Sequence, residues 1–116
     1  KLQPTVISYN YGISACEKGE QWQRALALLS GMWEARMKPD AISYVAGITA
    51  CHKPGQWQQA LSLLGGMWEG RLEPTVISYN AGITACENGE QWQHALALVG
   101  EMCEMTLEPD VISYSA

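Results

Sequence analysis

The sequence predicts an all-α solenoid built from helix–turn–helix repeats. The segment Pro-Thr-Val-Ile-Ser-Tyr-Asn at residues 4–10 returns with few changes at residues 39–45, 74–80 and 109–115, which sets a period of 35 residues. Between the first and third copies, 23 of these 35 positions hold the same residue. Inside each copy, apolar residues recur every three or four positions, as on one face of a helix. Such short helical units bury their apolar faces only by stacking on one another.

The first helix of each unit is predicted from about Val6 to Glu17, where a Lys-Gly pair follows. Side chains that can cap a helix precede the motif copies at Thr5, Asp40, Thr75 and Asp110. Glycines lie inside these helices at Gly12, Gly47 and Gly82, each costing about 1 kcal/mol relative to alanine. We expect them to permit close approach of a neighbouring helix, and the alternative is room for a ligand.

The second helix is predicted from about Gln21 to Ala35, ending before Pro39 because proline disfavours a helical residue before it. A tryptophan recurs on its apolar stripe at Trp22, Trp57 and Trp92, and we expect these rings in the core. The chain is therefore interpreted as one array over residues 1–116. Its repeats run at about 4–38, 39–73 and 74–108, with a partial fourth repeat at 109–116.

Composition limits the class of protein. The chain is 47% apolar and 16% charged, which suits a soluble globular protein and excludes a disordered one. We expect no transmembrane segment, because no run of eighteen apolar residues occurs. The first residues do not form a signal peptide, and the missing initial Met indicates a processed chain or a fragment.

The cysteines and histidines give no pattern of a metal site or a catalytic centre. Cys16, Cys51 and Cys86 are 35 residues apart, without a CxxC pair, so we expect reduced buried thiols and a reducing compartment. His52 and His94 occupy different repeat positions and have no recurring catalytic partner. The sequence therefore predicts no metal, no cofactor, no small-molecule substrate and no enzymatic activity.

The period, the helix pair and the motif together resemble the pentatricopeptide repeat family over essentially the whole chain. The resemblance is carried by the Val-Ile-Ser-Tyr-Asn segment at residues 6–10, the Ala25-Leu26 step, Met32 and the Pro39-Asp40 boundary, with their counterparts in later repeats. It implies a right-handed α-solenoid that binds single-stranded RNA without catalysis, one base per repeat. It also implies organellar RNA processing, stability or translation, in a chloroplast (plastid) or mitochondrion.

The resemblance further implies which residues select the bases. In the family, the residue after Ser-Tyr and the residue that closes the repeat act as a pair. In this chain the pairs are Asn10 with Asp40 and Asn80 with Asp110, a combination that favours uracil and hence U-rich RNA. The second repeat departs from the pattern with Val45 and Thr75, because valine cannot hydrogen-bond a base. The partial fourth repeat offers Ser115.

Two further sets of residues match family positions. The aliphatic residues that hold each base between adjacent repeats correspond to Ile7, Ile42, Ile77 and Ile112. Ordinary packing between repeats is the alternative for these isoleucines. Lys18 and Lys53 match a position that meets phosphate, and the third copy has Asn88 there.

The charge distribution favours a second function for part of the chain. Residues 1–71 carry a formal charge of +2 and residues 72–116 carry −7, although phosphate contacts require Lys and Arg. The third repeat therefore fits RNA poorly. The alternative function is a structural, protein-binding subunit of a larger organellar complex, such as a ribosome or a photosynthetic or respiratory assembly. Trp33 and Trp68 are candidate contacts with a protein partner, or else rings packed at helix ends.

Overall fold

The computed structural model describes residues 2–105, and that part of the chain contains six α-helices and no strand. The helices begin and end at equivalent positions of successive repeats. They are α1 (Val6–Lys18), α2 (Trp22–Glu34), α3 (Ala41–His52), α4 (Trp57–Glu69), α5 (Val76–Asn88) and α6 (Trp92–Glu104). The predicted all-α helical repeat fold is thus confirmed.

The first helix of every repeat begins at a side-chain cap, as the sequence predicts. Thr5 accepts a hydrogen bond from the Ser8 amide, and the Ser8 hydroxyl accepts one from the Thr5 amide. The same reciprocal arrangement occurs at the start of α3 and of α5. A cap of this kind satisfies amide groups that have no partner in the first turn. Asp110, the fourth predicted cap, lies outside the described residues.

The helices form two layers over an extent of 52 × 27 × 20 Å. The first helices α1, α3 and α5 lie side by side. Each second helix packs on its own first helix, and α2 and α4 also pack on the first helix of the next repeat. The core between the layers repeats with the sequence. Its most deeply buried members include three methionines, from α2, α4 and α6: Met32, Met67 and Met102.

The glycines inside the first helices lie against leucines of the second layer. A Cβ atom on Gly47 would stand 3.1 Å from Leu63 Cδ1, and one on Gly82 would stand 2.8 Å from Leu64 Cδ1. The expected close approach of neighbouring helices is therefore confirmed. Glycine costs the helix stability at these positions, but it lets the two layers meet.

The expectation for the recurring tryptophans is wrong at Trp92. Trp22 and Trp57 are half-buried, whereas 66% of Trp92 is exposed. The reason is the position of each ring within the stack. Trp57 is covered by the following repeat, where the His94 ring lies 4.6 Å from it, centroid to centroid. No repeat follows α6 within the described residues 2–105, and no ring of this part of the chain covers Trp92 as His94 covers Trp57.

Candidate functional site

A row of exposed isoleucines marks the first-helix layer. Ile7, Ile42 and Ile77 occupy the second position of α1, α3 and α5, and their exposed fractions are 67%, 64% and 68%. Large aliphatic side chains gain free energy when they leave water, so three of them exposed in register are unusual for a surface of no function. These side chains are not buried between repeats, and we call them the isoleucine row. Ile112 lies outside the described residues.

An open groove of about 390 Å³ crosses the second repeat on this side of the molecule, from Ser14 and Glu17 of the first repeat to Thr75 and Ile77 of the third. Ile42 and Ile77 form part of its wall, together with Val45, Thr75 and Ala46. The isoleucine row therefore flanks the same space as the second predicted base-reading pair. Most of its exposed lining is apolar, which suits the flat face of a planar group, and Glu17 with three hydroxyl side chains supplies the polar part.

The predicted base-reading pair of the first repeat is joined by a hydrogen bond. Asn10 Nδ2 donates to Asp40 Oδ1 over 3.0 Å, from α1 to the residue that precedes α3. The Ser43 hydroxyl donates to Asn10 Oδ1 from the first turn of α3. Asn10 is 9% exposed, so both ends of its amide are fixed within a largely buried site. One N–H of this amide is left to donate to a ligand.

Asp40 serves two structural functions at once. Its Oδ1 also accepts a hydrogen bond from the Ser43 amide over 3.0 Å, which makes Asp40 the cap of α3. Burial by itself would raise the pKa of this carboxyl. The hydrogen bonds from the Ser43 amide, from Asn10 and from the Ser43 hydroxyl, whose one proton is shared between Asp40 and Asn10, outweigh burial and hold the pKa below its ordinary value of 3.8. Asp40 is therefore ionised at neutral pH and is a strong acceptor for the Asn10 amide.

The second pair has a different geometry. Val45 is half-buried in the groove, and Thr75 uses its hydroxyl to cap α5 by accepting from the Ser78 amide over 3.2 Å. Val45 has no side-chain amide, so it cannot form with Thr75 the hydrogen bond that Asn10 forms with Asp40. Thr75 thus keeps the cap that Asp40 provides, without its second function.

The structure describes the third repeat as far as residue 105, and the partial fourth repeat lies outside the described residues. Asn80 lies on α5 and is exposed. Its predicted partner Asp110 and the fourth-repeat residue Ser115 lie outside the described residues. The structure therefore places Asn80 on the surface and does not test its pairing with Asp110.

The two predicted phosphate contacts, Lys18 and Lys53, are exposed at the ends of the first helices of repeats one and two. Lys53 Nζ lies 3.9 Å from Glu20 Oε1 of the first repeat, and both side chains are about two-thirds exposed. A pair so exposed contributes little to stability, but the carboxylate reduces the positive charge that a phosphate would meet. Asn88, at the same position of repeat three, instead donates from Nδ2 to the His52 carbonyl over 2.6 Å.

The two tryptophans predicted as protein contacts lie at the ends of second helices. Half of the Trp33 side chain is exposed, and 47% of Trp68. Trp68 Nε1 donates to the hydroxyl of Tyr79 in the next repeat over 3.4 Å. Trp33 and Tyr44 hold the equivalent positions one repeat earlier; burial raises the pKa of Tyr44, and the neighbouring Trp33 opposes part of that rise. Each ring therefore joins two repeats and also presents an exposed face.

The thiols of Cys51 and Cys86 are buried, and Cys16 is half-buried. Burial raises the pKa of Cys51 to about 11 and also raises the pKa of Cys86, so these thiols stay protonated and poorly reactive. Over residues 2–105, no group of three or more metal-ligating side chains is close enough to hold an ion. No helix in the same part of the chain has the length and apolar character needed to cross a membrane.

The contacts of two residues on this surface, Ser43 and Glu20, are not predicted by the sequence. Ser43 was recognisable as the serine of the recurring Ser-Tyr motif, but the hydrogen bond from its hydroxyl to Asn10 depends on how two repeats stack. Glu20 lies in the turn before α2, and only the stacking brings it near Lys53. The 35-residue period aligns each turn with the next one, but it does not specify which side chains meet when the repeats stack.

The chain is similar to one protein family and to solved structures of a member of that family. A family model described as the pentatricopeptide repeat domain matches residues 27–89. The crystal structure of the pentatricopeptide repeat protein PPR10 from maize has a TM-score of 0.87 and 25% identity, over 98% of this chain and 16% of that one. PPR10 in complex with an 18-nt psaJ RNA element gives a TM-score of 0.84 at 25% identity, over 97% and 17%.

No curated protein matches the sequence. The chain spans about one sixth of the length of the solved PPR10 chains. The family model covers more than half of the chain, from the middle of α2 to the turn after α5. The chain belongs to the pentatricopeptide repeat family.

Proposed function

We propose that this chain binds single-stranded RNA, one base per repeat, and catalyses no reaction. The proposal is supported by membership of the family and by the similarity to PPR10, a protein solved in complex with an 18-nt RNA element. We further propose that it acts in RNA processing, stability or translation in a chloroplast or mitochondrion. The buried protonated thiols of Cys51 and Cys86 are compatible with the reducing compartment that this implies.

The observation that carries the proposal is the isoleucine row beside the Asn10–Asp40 pair. Ile7 and Asn10 are three residues apart on α1, so they share one helix face. Apolar contact with the face of a base does not depend on its identity, whereas an amide beside it can discriminate between base edges. The first repeat thus combines a contact for any base with a contact that selects one, whereas the second repeat, with Val45, keeps only the first of these.

The hydrogen bonds of Asn10 determine which donor and acceptor groups of its amide remain for a base. Because Nδ2 donates to Asp40 and Oδ1 accepts from Ser43, the amide cannot rotate to exchange its donor and acceptor. Its remaining N–H can donate to a carbonyl of uracil, and the second lone pair of Oδ1 can accept from the uracil N3–H. We propose uridine preference at repeat one on this basis, and at repeat three through Asn80 with Asp110.

The charge of the chain limits the affinity. Lys18 and Lys53 are the proposed phosphate contacts, and no Lys or Arg follows Arg71. Affinity for RNA depends strongly on such contacts and falls as salt rises. We therefore expect weak binding that is measurable only at low ionic strength, with repeats one and two contributing most of it.

The test is a titration of the whole chain with short labelled oligonucleotides, followed by fluorescence anisotropy at low salt. We expect an oligouridine to bind more tightly than an oligoadenine, and the double variant Asn10→Ala plus Asn80→Ala to lose this preference. Gln59→Ala is the matched control, because it truncates an exposed amide on α4, in the other layer. Equal binding of both oligonucleotides, or a preference that survives the double variant, would overturn base reading.

A second candidate function is supported by the half-exposed Trp33 and Trp68 and by the acidic third repeat. Under this alternative the chain is a structural subunit that binds protein in an organellar assembly such as a ribosome or a photosynthetic or respiratory complex. Tryptophan is enriched among residues that dominate protein interfaces. The distinguishing experiment is co-purification of a protein assembly after nuclease treatment. An association that nuclease abolishes would count against this alternative.

A further inference from the structure

A hollow of about 260 Å³ lies between the second helices of repeats two and three, on the layer opposite the isoleucine row. Leu64 of α4 and Leu98 of α6 form its floor, and they are only 4% and 5% exposed. The exposed rings of Trp68 and His94 stand at its rim. Sites for whole small molecules usually measure about 300–1,000 Å³, so this hollow suits a single long side chain. We call it the α4–α6 hollow.

The α4–α6 hollow lies between two repeats that the structure describes, and its lining residues all fall within residues 61–101. Its α4 wall belongs to the middle repeat, which has a described neighbour on each side. By the 35-residue period, residues 109–116 correspond to the start of α5, which packs chiefly on α3, α4 and α6. The same contacts moved on by one repeat would fall on α5 and α6, so the period does not direct these residues to the α4 wall.

A glutamate in the wall of the hollow departs from the repeat pattern. Glu101 stands where the first two repeats have Gly31 and Gly66. A Cβ atom on Gly66 would lie 3.5 Å from the hydroxyl oxygen of Tyr44, so this position faces the tyrosine of its own repeat. Glu101 makes that contact in repeat three, because its Oε1 lies 3.2 Å from the hydroxyl of Tyr79. Among the described repeats, the third alone brings a carboxylate to this place.

The hydroxyl of Tyr79 holds the carboxylate and an indole ring beside each other. Tyr79 is 1% exposed, and its oxygen accepts a hydrogen bond from Trp68 Nε1 over 3.4 Å. Its one proton can go to Glu101 Oε1 or to the Met105 sulfur, each 3.2 Å away, and the carboxylate is the stronger acceptor. Burial and the charge of Glu101 raise the pKa of Tyr79, partly opposed by Trp68, so the hydroxyl stays protonated. Trp68 and Glu101 are thus fixed within hydrogen-bond distance of one atom.

No Lys or Arg of the described residues neutralises Glu101. Within residues 2–105 the one ion pair joins Lys53 to Glu20. Residues 72–105 contain five glutamates and no Lys or Arg. A carboxylate that adjoins apolar surface is screened less than one surrounded by water, so it attracts a cation more strongly. The hollow therefore combines an aromatic face, an apolar floor and a negative charge without a partner cation.

We infer that the α4–α6 hollow receives an arginine side chain of a protein partner. A guanidinium is planar, so it can stack on the exposed face of Trp68 while its N–H groups donate to Glu101. The lone pairs that Glu101 does not use for Tyr79 accept these N–H groups. The aliphatic stem of the arginine lies on the apolar floor. This inference rests on the second candidate function, protein binding, and not on RNA, whose phosphates the glutamates repel.

The junction of repeats one and two offers an internal control. Trp33 and Tyr44 hold the positions of Trp68 and Tyr79, and half of the Trp33 side chain is exposed. Gly66 stands there in place of the glutamate. An arginine should therefore prefer Trp68 to Trp33.

The test is a titration of the isotope-labelled whole chain with the tripeptide acetyl-Ala-Arg-Ala-amide, followed by NMR of the indole N–H signals at low salt. We expect millimolar binding that moves the signal of Trp68 and moves that of Trp33 little. The same peptide with citrulline keeps the shape without the charge and should bind about fivefold more weakly. A lysine peptide should bind about threefold more weakly, because an ammonium group does not stack flat on the ring.

Two matched variants test the carboxylate. Glu101→Gln removes the charge but keeps an oxygen for the hydroxyl of Tyr79, so the chain should stay folded and lose affinity for the arginine peptide by about three- to tenfold. Glu104→Gln makes the same change in net charge on α6, at an exposed residue that does not line the hollow. It should weaken binding by less than about twofold.

Four results would contradict the inference. They are a Trp68 signal that does not move at tens of millimolar peptide, equal movement of the Trp33 and Trp68 signals, equal binding of the arginine peptide and either the citrulline or the lysine peptide, and equal weakening by Glu101→Gln and Glu104→Gln. Co-purification after nuclease treatment tests separately whether the chain binds protein at all. A failure of the hollow is therefore distinguishable from a failure of the second candidate function.

Discussion

Asn10 Nδ2 and Asp40 Oδ1 lie 3.0 Å apart and join the first repeat to the second across thirty residues of sequence. The same carboxylate oxygen accepts the Ser43 amide and so begins α3. One side chain therefore fixes the start of a helix and the orientation of the proposed base-reading amide. A substitution of Asp40 is therefore expected to change both the free energy of unfolding and the selection of the base.

The first prediction separates these two functions of Asp40. Thr75→Ala removes only the cap of α5 and should lower the free energy of unfolding by about 1 kcal/mol. Asp40→Ala removes a cap and also leaves the buried Asn10 amide without its acceptor, which should add about 1–3 kcal/mol. Urea unfolding of the two variants measures the difference.

Asp40→Asn is the control for this comparison. Asparagine caps helices nearly as well as aspartate and keeps an oxygen for the Asn10 amide, so most of the loss should be recovered. If Asp40→Ala and Thr75→Ala cost the same, the bond to Asn10 does not contribute to stability.

The second prediction concerns acid. Because the pKa of Asp40 in the folded chain lies below 3.8, the folded state favours the ionised carboxyl. The stability that this provides is present above the unfolded-state pKa and is lost as the pH falls through the folded-state pKa. The difference in unfolding free energy between the unchanged chain and Asp40→Asn should be constant near neutral pH and shrink in the range below 3.8. A difference that is constant into strong acid would contradict the assignment.

The period of the sequence was sufficient to predict the helices and their caps. Thr5, Asp40 and Thr75 act as local signals, since each contacts a residue three positions along the chain. Contacts between repeats were harder to predict. The bond from Ser43 to Asn10 and the approach of Lys53 to Glu20 depend on the angle at which repeats stack, which residue spacing does not encode.

Burial was predicted least well at the ends of the stack. Trp22, Trp57 and Trp92 occupy the same position of the motif, so sequence periodicity assigns them the same environment. Their exposure differs because a repeat buries its apolar face against a neighbour, and that neighbour differs along the array. The end of a stack is a property of tertiary structure, so periodicity alone does not identify it.

The third prediction contrasts two glycines. A Cβ atom on Gly100, in α6, would meet no described atom within 4 Å, so Gly100→Ala should stabilise the chain by about 0.5–1 kcal/mol. A Cβ atom on Gly89 would stand 2.6 Å from Trp57 Cδ1 and 2.8 Å from the Gly55 carbonyl oxygen. Since that oxygen belongs to the backbone and cannot rotate away, Gly89→Ala should destabilise the chain. Thermal unfolding distinguishes the two, and a shift of the same sign in both would contradict the stacking of repeats two and three.

The fourth prediction tests the phosphate contact and depends on the proposed RNA binding. Glu20 lies 3.9 Å from Lys53 Nζ, so Glu20→Gln should free the ammonium group and raise affinity for an oligouridine by about two- to fivefold at low salt. Glu34→Gln makes the same change in net charge at an exposed site at the end of α2, and it should have a smaller effect.

The gain from Glu20→Gln should also shrink as salt is raised, because screening weakens the interaction between exposed charges. Fluorescence anisotropy at two salt concentrations measures both effects with the same labelled oligonucleotide. If Glu20→Gln and Glu34→Gln raise the affinity equally, net charge accounts for the gain and Lys53 has no special position. If Glu20→Gln alone raises it, and Lys53→Ala abolishes that gain, the phosphate passes beside the turn that joins the first two repeats.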